Sequence, residues 1–144
     1  MKLLRIIPII LIFITCSIDA GAQCKGFAKK ICLPELGSYT HDGNYHAAVL
    51  VEGEEAELYK TFYADMDYRL AVCGAENLPN VEFSIYDANR NQLFSSKDSD
   101  SKVWDFKLQS SQQLKLVVKV GSFSQPGEIP ASGCVSIMFG FKLK

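Results

Sequence analysis

Apolar and polar residues alternate with a period of two along most of the chain after residue 45. Tyr68, Leu70 and Val72 are separated by Arg69 and Ala71, Val81, Phe83 and Ile85 by Glu82 and Ser84, and Trp104, Phe106 and Leu108 by Asp105 and Lys107. Leu114, Leu116, Val118 and Val120 alternate with Lys115, Val117 and Lys119. Val135, Ile137, Phe139, Phe141 and Leu143 alternate with Ser136, Met138, Gly140 and Lys142. Successive side chains of a strand point to opposite faces, so each run predicts a half-buried antiparallel strand. Segments 45–52 and 56–63 are strand-like with weaker phase, and 92–95 predicts a short strand around Leu93 and Phe94. Clusters of Asn, Asp, Gly and Pro at 53–54, 64–67, 77–80, 87–91 and 97–102 supply the turns, because Asn and Asp accept left-handed backbone and bond to their own main chain. About eight strands with this spacing predict an all-β chain, an antiparallel β-sandwich or jelly roll. Its expected core includes Trp104, Phe106, Leu116, Val118, Ile137 and Phe139. Residues 121–133, rich in Ser, Gly and Pro, predict a long loop or a crossover between sheets.

The first 44 residues follow other rules. Lys2 and Arg5 precede an unbroken apolar run over 6–14 that includes Pro8, and Ala20-Gly21-Ala22 places small residues just before Gln23. This is the pattern of a secretory signal peptide cut after Ala22. The apolar run is short for a membrane span, which takes about 20 residues. Residues 1–22 therefore read as signal peptide, 23–44 as a cysteine-flanked N-terminal segment and 45–144 as the sandwich domain. Cys24, Phe27, Ile31 and Cys32 recur at roughly helical spacing ahead of Pro34, which predicts a short N-terminal helix or turn.

Charge and cysteine content sharpen the picture. The 144 residues carry 15 basic and 16 acidic side chains. The signal peptide would remove Lys2, Arg5 and Asp19, so no basic excess points to nucleic acid. The expected product is secreted or periplasmic, with no stable membrane insertion once the leader is gone. Cys16 leaves with the leader, and Cys24, Cys32, Cys73 and Cys134 remain. An even count in an exported chain reads as two disulfides, with three possible connectivities. The expected pairing is Cys24–Cys32, a local bridge, and Cys73–Cys134, two residues that both leave the core phase of their strands. No close C-x-x-C pair supports a zinc site.

Motifs for catalysis are missing from the sequence. It contains no G-x-S-x-G, H-E-x-x-H, P-loop or G-x-G-x-x-G, so no enzyme activity and no cofactor are expected. His41 and His46 flank Asp42-Gly43-Asn44-Tyr45, which reads as a solvated turn entering a strand. Asp87, Asn89 and Asn91, with Asp98 at position twelve, superficially match a calcium loop. The glycine needed at position six is Gln92, and the segment reads as a hairpin turn. Glu52, Glu54, Glu55 and Glu57 fit an exposed edge better than a catalytic pair. Tyr59, Tyr63 and Tyr86 fall on polar phases and are the candidate binding residues, able to stack on sugars or anchor a protein.

The order of segments resembles a bacterial pre-peptidase C-terminal β-sandwich. The resemblance runs through Lys60-Thr-Phe-Tyr-Ala-Asp-Met-Asp-Tyr-Arg-Leu-Ala-Val-Cys-Gly, then Val81-Glu-Phe-Ser-Ile-Tyr-Asp, Trp104-Asp-Phe, Leu114-Lys-Leu-Val-Val-Lys-Val and Gly133-Cys-Val-Ser-Ile-Met-Phe-Gly-Phe-Lys. It covers about residues 45–144, and the whole is similar to small exported proteins of Bacteroidetes type. It implies a non-catalytic binding module with a surface protein or a polysaccharide as partner. The chain departs from that context in carrying no enzyme domain and in adding the cysteine-flanked segment.

Overall fold

The computed structural model describes residues 20–143. The expected signal peptide therefore lies outside the described residues as far as position 19, and Ala20 to Ala22 open the first helix. In chain order, α1 (Ala20–Phe27) runs through a π turn (Ala28–Cys32) and a 3-10 turn (Leu33–Leu36) into β1 (Thr40–His41) and β2 (His46–Val51). Then come β3 (Glu55–Phe62), β4 (Asp67–Gly74), β5 (Val81–Tyr86), β6 (Gln92–Ser95), the single turn α2 (Ser96–Ser99), β7 (Val103–Lys107), β8 (Gln112–Val120) and β9 (Ser132–Lys142).

The strands form two antiparallel sheets, the all-β sandwich that the alternation predicts. In the first, β9 pairs with β4, β4 pairs with β7, and β1 and β2 lie in succession along the other side of β9. In the second the order is β3-β8-β5-β6. The strand phases meet between the sheets. Leu70, Val72, Ile137 and Phe139 pack against Phe83, Ile85, Leu114, Leu116, Val118 and Val120. Trp104 and Phe106 are half-buried at the β7 edge, stacked at 4.3 Å, and Phe94 stacks on Trp104 at 5.4 Å. All six expected core residues thus face the interior. Left-handed backbone falls on Asp65, Arg90 and Asp100, each inside a turn cluster of the sequence.

A second core lies on the outside of the first sheet. Cys24, Ala28, Cys32 and Leu36, four residues apart, form one fully buried stripe. A spacing of four exceeds the 3.6-residue α turn, and the π turn at Ala28–Cys32 takes up the difference. Together with Ala71, Cys73 and Met138 of the sheet below, Ala28, Cys32 and Leu36 make a compact apolar layer. Gly140 permits the approach, since a Cβ there would stand 2.7 Å from the Tyr39 Cβ. Because β1 already pairs with β9, the sandwich begins inside the N-terminal segment rather than after it.

The four cysteines among the described residues form two disulfides, with a pairing that corrects the expected one. Cys24 bonds Cys134 and Cys32 bonds Cys73. Eight helical residues rise about 12 Å, well beyond the roughly 7 Å between alpha carbons that a disulfide spans. Cys24 and Cys32 therefore cannot meet. Cys73 and Cys134 do share the outer face, as their phase implies, but Cys73 stands opposite Ser136, which leaves Cys134 one diagonal away. The helical layer above offers each of them a closer partner.

Candidate functional site

Two surfaces stand out, one on the loop after β8 and one on the open face of the second sheet. Residues 121–131 leave β8 carrying two large apolar side chains, Phe123 at 73% exposure and Ile129 at 95%. The loop is built rather than slack. Gln125-Pro126-Gly127-Glu128 forms a tight turn in which the Glu128 amide donates to the Gln125 carbonyl at 3.0 Å, with Gly127 at φ +91°. Pro at the second and positive-φ Gly at the third position is the chemistry of a type II turn. The Glu128 carboxylate accepts the Gln125 amide at 2.9 Å and closes the tip a second time.

Glu52, in the turn between β2 and β3, holds the two arms of the loop. Its carboxylate accepts the Ser124 hydroxyl, and its backbone amide donates to the Ala131 carbonyl at 3.0 Å. The Ser124 hydroxyl, helped by the amides of Phe123, Ala131 and Ser124, keeps the Glu52 carboxyl below the ordinary range. At the base, the Gly121 amide donates to the Asn80 carbonyl at 2.8 Å, and the Asn77 side chain donates to the Ser132 carbonyl at 2.7 Å. Residues 121–133 were expected as a loop, but Phe123 and Ile129 were not among the candidates, and Glu52 was expected only as part of an exposed edge. The available signal was a pair of large apolar residues in a Gly/Ser/Pro stretch with no alternation around them.

The second surface holds two of the three predicted tyrosines. Register places Tyr59 of β3 and Tyr86 of β5 on either side of Lys115 of β8, in one row across three adjacent strands. They line a shallow groove with Asp87, Ala88, Arg90 and Gln113. Lys115 Nζ lies 2.6 Å from Glu57 and 5.9 Å from the Tyr59 ring centre. Tyr86 donates to Gln92 at 3.3 Å, beside a bulge that adds Leu93 to β6. Tyr63 is 64% exposed but lies past the end of β3, outside the groove.

The remaining candidates have structural occupations. The Asp87 carboxylate accepts the amides of Asn89 and Asn91 and the Asn91 side chain at 2.8 to 3.0 Å, so its oxygens close the β5–β6 hairpin. Asp98 sits on α2. Glu54 accepts the Val51 amide at 2.7 Å and closes the β2–β3 turn. His41 rests on Tyr45 at 4.7 Å, and His46 meets the Phe139 ring edge-on at 5.6 Å. Between them Asp42 pairs with Lys60 at 2.9 Å, across the open side of the sandwich. Among the described residues no three His, Cys, Asp or Glu side chains converge as a metal site. No described helix is long and apolar enough to cross a membrane.

The fold and these surfaces define an all-β sandwich with a disulfide-bonded helical cap on one sheet and a braced loop at one end. Its fold is similar to that of Aeromonas hydrophila PliG, a periplasmic lysozyme inhibitor of g-type lysozyme. The TM-score is 0.51 at 10% identity, over 73% of this chain and 89% of that one. No protein-family profile matches the chain, and no curated protein matches it either.

Proposed function

We propose that this chain is an exported, non-catalytic binding protein that docks on a protein partner through the loop over residues 121–131. One observation carries the reading: Phe123 and Ile129 stand in solvent on a loop braced at its base, its arms and its tip. A slack loop would lose much of its affinity to ordering, whereas a braced one has met that cost in folding. Burying the two side chains in a partner is worth about 1.5 to 3 kcal/mol each. The likeness in fold to a protein that inhibits g-type lysozyme supports a protein partner and makes lysozymes the first ones to test. The two disulfides support an oxidising compartment, outside the cytoplasm or in a periplasm. A non-catalytic role also agrees with the resemblance to pre-peptidase C-terminal domains.

The test is binding and cell-wall lysis by g-, c- and i-type lysozymes, titrated with the native exported protein, whose N-terminus is expected at Gln23. One of the three should bind and lose activity. Phe123→Ala/Ile129→Ala should weaken binding by about a hundredfold or more, converting the burial above at tenfold per 1.4 kcal/mol. Its thermal unfolding should match the wild type. Equal binding by the double variant, or no binding of any of the three enzymes, refutes the reading.

A further inference from the structure

The outer face of the second sheet carries a groove whose chemistry differs from that of the loop. Two tyrosines stand two strand spacings apart, about 9.6 Å, with the Lys115 side chain as the floor between them. Arg90 and Gln113, whose side chains end in planar polar groups, also line the groove. Aromatic faces take up the apolar C–H face of a pyranose ring, and planar donors and acceptors take up its hydroxyls. The separation of the tyrosines suits alternate sugars of an extended chain.

The charges narrow the ligand further. Of the ionic groups lining the groove, the Asp87 carboxylate is engaged by three N–H groups of its own turn, and Lys115 is paired with Glu57. Arg90 has no carboxylate partner among the described residues, and its positive φ of 66° sets it at the tip of the β5–β6 turn. The neutral N–H donors leave Asp87 charged but occupy its oxygens, so Arg90 is the ionic side chain of the groove left free to pair with a ligand. A guanidinium pairs with a carboxylate through two parallel hydrogen bonds. We propose that the Tyr59–Lys115–Tyr86 groove binds an acidic oligosaccharide, with its rings on the two tyrosines and a sugar carboxylate on Arg90. The groove lies toward the far end of β8 from the loop, since five residues separate Lys115 from Val120, about 17 Å along the strand. The two surfaces are separable by mutation.

Affinity electrophoresis and isothermal titration test this, with oligogalacturonate as the carboxylated probe and a cello-oligosaccharide of equal length as the neutral one. The wild type should bind the carboxylated probe more tightly. Tyr59→Ala/Tyr86→Ala should lose at least about tenfold, the scale of 1.4 kcal/mol of lost aromatic contact. Tyr63→Ala, as exposed but outside the groove, should bind as the wild type does. Arg90→Gln should abolish the preference for the carboxylated probe while leaving neutral binding unchanged. Phe123→Ala/Ile129→Ala should bind both probes normally, so failure of the protein-partner reading leaves this result intact. No binding of either probe, no preference between them, or unchanged binding by the tyrosine double variant overturns the proposal.

Discussion

Removal of either disulfide tests the role of the helical cap most directly. Cys32–Cys73 spans 41 residues and Cys24–Cys134 spans 110. In the chain-entropy treatment, closing loops of these lengths separately is worth about 4 and just under about 5 kcal/mol. The bridges are nested, so each shortens the path the other closes. With Cys32–Cys73 intact, the path from Cys24 to Cys134 is about 70 residues, worth about 4.4 kcal/mol. Either loss is thus a large part of the roughly 5 to 15 kcal/mol that holds a domain folded. The assay is guanidinium unfolding followed through Trp104, the only tryptophan, held between Phe94 and Phe106. Cys32→Ala/Cys73→Ala and Cys24→Ala/Cys134→Ala should each lower the midpoint by about 1 M, for a slope of about 4 kcal/mol per molar. A loss under about 1 kcal/mol in either variant refutes the constraint argument. Non-reducing peptide maps showing Cys24 joined to Cys32 refute the pairing itself.

Three further outcomes follow from the packing. Phe139→Ala should cost about 3 to 5 kcal/mol in chemical denaturation, and Lys119→Ala, on the outer face of the second sheet, under about 0.5, so equal costs would mean a wrong register. Gly140→Ala should cost about 1 to 3 kcal/mol, because the new methyl meets Tyr39 and must lift the cap, and an unchanged melting temperature would contradict that contact. Stability should fall on acidification. Burial holds His46 below its ordinary 6.5, so its contribution is complete above that value and is lost as pH drops through the folded pKa. For Asp42, burial opposes the charged form, but Lys60 and the Asn44 amide outweigh it and hold the carboxyl below 3.8, which adds a second loss at lower pH. Melting curves from pH 7.5 to 5 should flatten in His46→Gln, and an unchanged slope would remove His46 from the account.

Where side chains alternate cleanly, the fold was legible: β4, β5, β7, β8 and β9 lie where period two puts them, with the expected residues inward. The weak phase of segment 56–63 has a physical cause. Lys60 occupies an inward position of β3, between Leu58 and Phe62, with its ammonium 5.0 Å from the Phe139 ring centre and paired with Asp42. An inward charge on an edge strand breaks the apolar pattern and also discourages edge-to-edge pairing. The cap was harder to foresee. Ala71, Cys73, Ser136, Met138 and Gly140 sit on the phase that reads as solvent-facing, yet they are small or apolar and make a recess for a helix. That composition was the signal, and without it the cysteines are most simply paired within the segment and within the sheet. In the groove of the second sheet, Tyr59 and Tyr86 were visible as polar-phase aromatics. Their meeting across Lys115 depends on register between β3, β8 and β5, which local pattern does not fix.

The placement of the cap also bears on where recognition can occur. A sandwich has two outer faces, and here one is closed by a layer tied down by both disulfides. Among the described residues, the second sheet carries no such layer on its outer face. There β3 and β8 alternate Glu55, Glu57, Tyr59 and Thr61 with Lys119, Val117, Lys115 and Gln113 across the register. Paired opposite charges across neighbouring strands keep the face soluble and stabilise it modestly. The row that sets an aromatic ring on each side of a lysine, Tyr59–Lys115–Tyr86, is also the one that lines a groove. The loop over residues 121–131 departs from the rule in another way, exposing its largest apolar side chains while its polar groups turn inward to brace it. The inward positions of both sheets and the cap hold the scaffold, while Phe123, Ile129 and Tyr59 stand exposed outside that core.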